Sequence, residues 1–161
     1  MSKSTNFLTV GALVAFAAVN TASAQVTQTV TFQVSAINQI AVTGAPSLVI
    51  NAAVAGSAPT SVTAAANTWS VTTNQSNASI TASIPTAMPA GLTLSALLVA
   101  PAGATSTGST ALGVTAVNVI TGITKLNSAA LGLTYQLDAT AAAGVVTSAT
   151  RVVTYTITGG V

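Results

Sequence analysis

The most regular pattern along the chain is the alternation of apolar and polar side chains in residues 26–34, Val-Thr-Gln-Thr-Val-Thr-Phe-Gln-Val. One face of this segment carries the apolar side chains, which are Val26, Val30, Phe32 and Val34. Only Gln28 interrupts that face. A period of two is that of an extended strand with one buried side. The pattern therefore predicts a strand, which either joins the sheet of its own molecule or adds to that of a neighbour.

Similar alternation recurs along the rest of the chain, between segments rich in Gly, Pro, Ser and Asn that favour turns. The segments that we expect to be strands are 47–51, 68–73, 78–84, 92–100, 114–120, 131–138 and 151–158. Residues 74–77 are predicted to form a hairpin turn. If the last two strands also pair as a hairpin, Asp138 and Arg151 lie at the same end of it.

The number and length of these segments indicate the fold class. They give eight or nine short strands, and no segment has a convincing helical period. Thr and Val, which suit a pleated surface, dominate them. The sequence therefore predicts an all-β protein, an Ig-like or Greek-key β-sandwich. By its alternation Trp69 belongs to the core, where its indole N–H needs a hydrogen-bond partner.

The first 24 residues have the composition of a secretory signal peptide. Lys3 precedes an apolar run over residues 7–19, and small residues at Ala22 and Ala24 precede Gln25. The run is shorter than the ~20 residues that span a bilayer. We expect cleavage between Ala24 and Gln25, an extracellular or cell-surface product without stable membrane insertion, and a single domain over 25–161, with 25–34 as a candidate donor strand.

Few side chains in residues 25–161 are suited to chemistry. The charged ones are Lys125, Asp138 and Arg151, and the whole chain has no His and no Cys. A Ser-His-Asp triad, a pair of carboxylates and a thiolate metal site are therefore impossible. We expect no enzyme activity and no catalytic, cofactor-binding or metal site. The few cations give no reason to expect a nucleic-acid partner, and a net charge near zero favours self-association.

Two adjacent segments match the acceptor pattern for N-linked glycosylation. They begin at Asn74 and Asn77. The pattern is short and occurs often by chance in a chain rich in Ser and Asn. Simple turn residues are the alternative interpretation, and both interpretations place this loop at the surface.

The combined layout consists of a signal peptide, an alternating strand, a Cys-free body rich in Thr, Ala and Val, and a closing Thr-Tyr-Thr-Ile-Thr-Gly-Gly segment. This layout resembles secreted pilin-like and fibre-forming β-sandwich subunits of the spore-coat-U/fimbrial type and of the biofilm-matrix type. The resemblance implies a filament of identical subunits. It also implies that an N-terminal segment, here residues 25–34, fills a groove in the next subunit.

Two other classes of protein remain compatible with the sequence. The first is a secreted monomeric adhesive or binding module with the same fold. The second is a small outer-membrane barrel, which would need girdles of aromatic side chains. Residues 25–161 hold few aromatic side chains to form them: Phe32, Trp69, Tyr135 and Tyr155.

Overall fold

The computed structural model describes residues 23–160. The chain divides into two compact units, and the second begins at Val34. In the first unit, residues 23–33 carry no regular secondary structure. The predicted signal peptide falls almost wholly on residues 1–22, which lie outside the described part, so it stays a prediction.

The second unit is built of strands. Between residues 34 and 160 there are nine: β1 (Asn38–Thr43), β2 (Val62–Thr73), β3 (Ala78–Ser83), β4 (Leu92–Leu98), β5 (Thr105–Ser106), β6 (Thr110–Ala111), β7 (Val117–Ile123), β8 (Leu126–Ala139) and β9 (Thr154–Thr158). A single 3₁₀ turn at Ala141–Ala143 is the only helical element in the described residues.

The strands form two antiparallel sheets. The larger has the order β1-β2-β8-β4-β6, and the smaller has the order β5-β7-β3-β9. One hydrophobic core draws on both, with Trp69 and Leu133 from the larger sheet and Ile80 and Ile120 from the smaller. The prediction of an all-β protein is confirmed, and the arrangement is sandwich-like.

Burial along the core strands follows the alternation of apolar and polar residues in the sequence. Residues of one parity in β3 are fully buried while their neighbours are half-buried, as a strand with one covered face requires. Trp69 is 1 % exposed, as expected of a core residue. However, its indole Nε1 has no hydrogen-bond partner among the described residues. A buried unpaired donor of this kind costs about 1–3 kcal/mol.

The predicted hairpin at residues 74–77 is wrong, and the pairing of the last two strands, which the sequence left open, does not occur. Residues 74–77 do reverse the chain, but β2 and β3 lie in different sheets, so the turn crosses between layers. Strands β8 and β9 are likewise in different sheets, because β8 pairs with β2 and β4 whereas β9 pairs with β3. Turn residues specify that a chain reverses, but they do not specify which sheet the next strand joins.

Two local predictions also differ from the structure. Residues 47–51 form no strand, although Leu48 packs against the core. Strand β7 extends past the end of the strand expected at 114–120 and includes Thr121 and Gly122. Gly122 has φ +75° where the β3–β7 register shifts, so its left-handed backbone accommodates a bulge.

Candidate functional site: the outer edge of strand β9

Strand β9 is the edge of the smaller sheet. Its five residues pair with β3, from Thr154 opposite Ser83 to Thr158 opposite Ser79. No strand of residues 23–160 pairs with its other side. An unpaired edge presents backbone N–H and C=O groups that can bind a further strand. The edge of β9 is therefore a candidate binding surface.

The side chains next to this edge alternate in exposure. Tyr155 and Ile157 are half-buried against the core, as is Val153 just before the strand, whereas Thr154 and Thr156 are exposed. Strand β1, the edge of the larger sheet, lies in contact with β9. The two sheet edges thus form the sides of a groove whose floor is the partly covered core.

The groove contains two adjoining cavities. The narrower, of about 370 Å³, is lined mainly by apolar side chains, among them Val42, Leu94, Leu137, Val153 and Tyr155. The wider, of about 850 Å³, is bounded by the irregular segments 46–53 and 146–151. Both cavities share lining residues such as Leu48 and Met88, so together they make one continuous depression, whose narrower part is mainly apolar.

A pair of tyrosines joins the sheets at the narrower cavity. Tyr155 Oη donates to Tyr135 Oη at 2.9 Å, and the two rings come from β9 and β8. Burial raises the pKa of both phenols. At Tyr155 the hydrogen bond to Tyr135 raises the pKa further, while at Tyr135 the bond to Tyr155 partly offsets the effect of burial. Both hydroxyls are therefore protonated over the physiological range.

Arg151 lines both cavities of the groove. Its Nε and Nη2 donate to the carbonyl oxygen of Ala87 at 3.3 and 3.1 Å, and Nη1 donates to that of Thr150 at 2.9 Å. The guanidinium is thus held by backbone carbonyls. It does not meet Asp138, because the hairpin that would have brought the two charges together does not exist.

Asp138, the single side-chain carboxylate of the chain, lies on β8. It accepts hydrogen bonds from Ser61 Oγ and, at 2.9 Å, from Gln136 Nε2. These bonds, that of Ser61 first, lower the pKa of the carboxyl. Within residues 23–160 no group of three or more His, Cys, Asp or Glu side chains could hold a metal ion.

The predicted donor residues are placed as follows. The side chains of Val26, Val30, Phe32 and Val34 are all exposed, from 72 % at Val30 to 92 % at Val26. No strand is assigned to residues 26–34. A lone segment has no ladder hydrogen bonds, so the predicted strand requires a partner to form. Ala24 and Gln25, on either side of the predicted cleavage site, are exposed as well.

The two candidate glycosylation residues differ in their surroundings. Asn74 is half-buried, where its Oδ1 accepts from Ile37 N at 2.8 Å and its Nδ2 donates to Ser35 O at 2.8 Å. Asn77 is exposed and has φ +56°, a backbone conformation that Asn tolerates. Glycosylation at either residue stays a prediction.

Sequence reasoning missed the groove. Alternation in residues 151–158 gave the inward side chains correctly, but an edge strand and a paired strand show the same alternation. No sequence signal marked β9 as the strand with a free side.

Among residues 23–160, no helix is long and apolar enough to cross a membrane. Comparisons of the chain with known protein families, with curated proteins and with solved structures found no match.

Proposed function

We propose that this protein is the structural subunit of an extracellular filament, pilus or surface layer, without enzymatic activity. It is exported, cleaved between Ala24 and Gln25, and assembled by adding residues 25–34 of one subunit as a strand to β9 of the next. The observation that carries this proposal is the unpaired outer edge of β9 beside an apolar groove.

The order of the strands supports the proposal. Ig-like sandwiches place strands A, B, E and D in one sheet and C, F and G in the other. Here β1-β2-β8-β4 follows the first order, and the neighbours β3 and β9 follow C and F. Strand G would pair with the outer side of β9, where no strand of residues 23–160 lies. In the proposed Ig-like fold, the donated segment takes the place of G.

The chemistry of the segment fits that place. Strand addition obtains affinity from main-chain hydrogen bonds and specificity from pockets for alternate side chains. Residues 26–34 offer one apolar face, and full burial of each Val or Phe side chain contributes about 1.5–3 kcal/mol. Extended at about 3.3 Å per residue, the segment is roughly 30 Å long. That length covers β9 and the irregular residues before it.

The proposal is tested by two acidic substitutions on opposite faces of the segment. Val30→Asp would place an unpaired carboxylate in the groove and should prevent assembly, since burying such a charge is costly. Thr31→Asp, its matched control, would point to solvent and should leave assembly intact. Electron microscopy of the secreted protein shows the filaments, and circular dichroism shows that both variants fold.

The outcomes separate the proposal from its alternatives. Filaments from the Val30→Asp variant would show that residues 25–34 are not the donor. A wild-type protein that is a monodisperse monomer at high concentration in size-exclusion chromatography would instead indicate a monomeric adhesive or binding module.

A further inference from the structure

The face of the donor segment that enters the groove has one polar member. Gln28 lies on the same face as Val26, Val30, Phe32 and Val34, because all five are even-numbered residues of one extended segment. Within the groove its amide would be removed from water. A buried amide without a hydrogen-bond partner costs about 1–3 kcal/mol on the scale of protein substitutions. The segment is therefore stable at a register in which the groove offers Gln28 a partner.

The narrower cavity offers Gln28 a hydrogen-bond partner, the Tyr135–Tyr155 pair. Two phenolic hydroxyls carry two hydrogens and four lone pairs, and the bond between them uses only one of each. One hydrogen and several lone pairs remain for a ligand that has both an acceptor and a donor. The other polar side chains that line this cavity are Thr150, which is exposed, and Arg151, which is engaged with backbone carbonyls.

The shape of the groove sets the direction of the donated strand. The narrower cavity is lined by Tyr155, Val153 and Arg151, and the wider one by Arg151 and residues before it. The depression therefore extends towards the N-terminal side of β9, and Ile157 lines neither cavity. Phe32, the largest apolar residue of the donor, follows Gln28 in the sequence, as do Val30 and Val34. They meet the cavities only if the donor runs antiparallel to β9.

We propose that Gln28 of one subunit binds the Tyr135–Tyr155 hydroxyl pair of the next subunit and thereby fixes the register of the donated strand, antiparallel to β9. This inference rests on the proposed function. Gln28 lies level with Tyr155, Val30 with Val153, and Phe32 with Arg151 at the wider cavity. Gln28 is thus a positioning residue for assembly.

The same register accounts for where β9 begins. Alternation predicts a strand from Arg151, yet the strand of the isolated subunit begins at Thr154. Residues 151–153 alternate in exposure but have no ladder partner. A donor that pairs there supplies the missing hydrogen bonds, so β9 lengthens towards its N-terminal end on assembly.

Engineered cysteines test the register in the full-length protein, which has no Cys of its own. Residues directly opposite each other in antiparallel strands have Cβ atoms about 4.5–5.5 Å apart, near the separation that a disulfide spans. Filaments of Val30→Cys/Val153→Cys should give an oxidation-dependent ladder of oligomers in denaturing gels. Filaments of the matched control, Val30→Cys/Ile157→Cys, should remain monomeric there.

Each result decides between two claims. Filaments with no ladder in the first variant, or with a ladder in the control, would overturn the register while the proposed function stands. If the protein without cysteines forms no filament, both claims fail.

A second test addresses the hydrogen bond itself. In filaments of Tyr135→Phe/Tyr155→Phe the amide of Gln28 loses its partner, and subunit loss in denaturant should be about ten-fold faster. Adding Gln28→Leu should restore most of the stability, because the orphaned amide is then gone. If the tyrosine pair only stabilised its own subunit, the Gln28→Leu substitution in the donor segment would not restore the stability of the filaments. Absence of rescue therefore contradicts the proposal.

Discussion

The titratable side chains of this protein are few, and Tyr135, Tyr155 and Asp138 have identifiable hydrogen-bond partners. Tyr155 and Tyr135 bind each other across the two sheets, and Asp138 accepts hydrogen bonds from Ser61 and Gln136. Burial holds the pKa of each phenol above its ordinary value, and the hydrogen bonds hold that of the carboxyl below its ordinary value. The chain has no His, so no side chain of ordinary pKa titrates near neutrality.

These directions predict the dependence of stability on pH. A raised phenol pKa gives stability that is present below the unfolded value of about 10 and is lost as the pH rises towards the folded value. The lowered pKa of Asp138 gives stability that is lost only below about pH 4, and because the carboxylate is only partly buried this contribution is small. The melting temperature should thus be flat from about pH 5 to 9 and fall above about pH 10.

Thermal unfolding followed across that pH range measures this profile. Tyr155→Phe removes one of the two buried phenols and should reduce the alkaline fall, whereas Asp138→Asn should leave it unchanged. An undiminished alkaline fall in the Tyr155→Phe variant would show that the buried hydroxyl is not its cause.

Among the structural elements, the entry to β1 depends on one side chain from the end of β2. Asn74 bonds the backbone of both Ser35 and Ile37, and Gln75 Nε2 donates to Asn74 Oδ1 at 2.7 Å. The chain just after the donor segment is therefore fixed at the end of the larger sheet. In a filament this contact would define where the donor leaves its own subunit.

We expect Asn74→Ala to lower the free energy of unfolding by about 1 kcal/mol, because the hydrogen bonds of this half-buried side chain to the backbone of Ser35 and Ile37 are lost. Denaturant unfolding measures the change. Asn127→Ala is a suitable control, since Asn127 is exposed on β8 and its side chain makes no hydrogen bond within the described residues. Equal effects of the two substitutions would contradict the role assigned to Asn74.

At the scale of the whole molecule, the low number of charges governs association. Only 2 % of the residues are charged. The groove contains a single charged side chain, Arg151, and the donor segment contains none. Screening by salt acts on charges, so it has little to act on at the proposed interface. The interface depends instead on apolar burial and backbone hydrogen bonds.

Assembly should accordingly be nearly independent of ionic strength. Between about 0.02 and 0.5 M NaCl, we expect the critical concentration for filament formation to change by less than about two-fold. Sedimentation of filaments at each salt concentration measures it. A ten-fold increase at high salt would point to an interface held by ion pairs, in conflict with the apolar groove.

The sequence by itself determined the fold class and much of the core. Alternation identified the inward side chains of β3, β8 and β9 and placed Trp69 inside, because side chains in a strand alternate between its faces whatever its neighbours are. The absence of His and Cys and the single carboxylate likewise follow from composition alone.

Only the tertiary structure decided which strands are neighbours. Strand β8 pairs with β2 and β4, and β9 pairs with β3, whereas the sequence left open whether β8 and β9 pair with each other. A period of two records the face of a residue and carries no information about its partner strand. The free side of β9 is therefore a property of the assembled sheets, since an edge exists only where no further strand has joined.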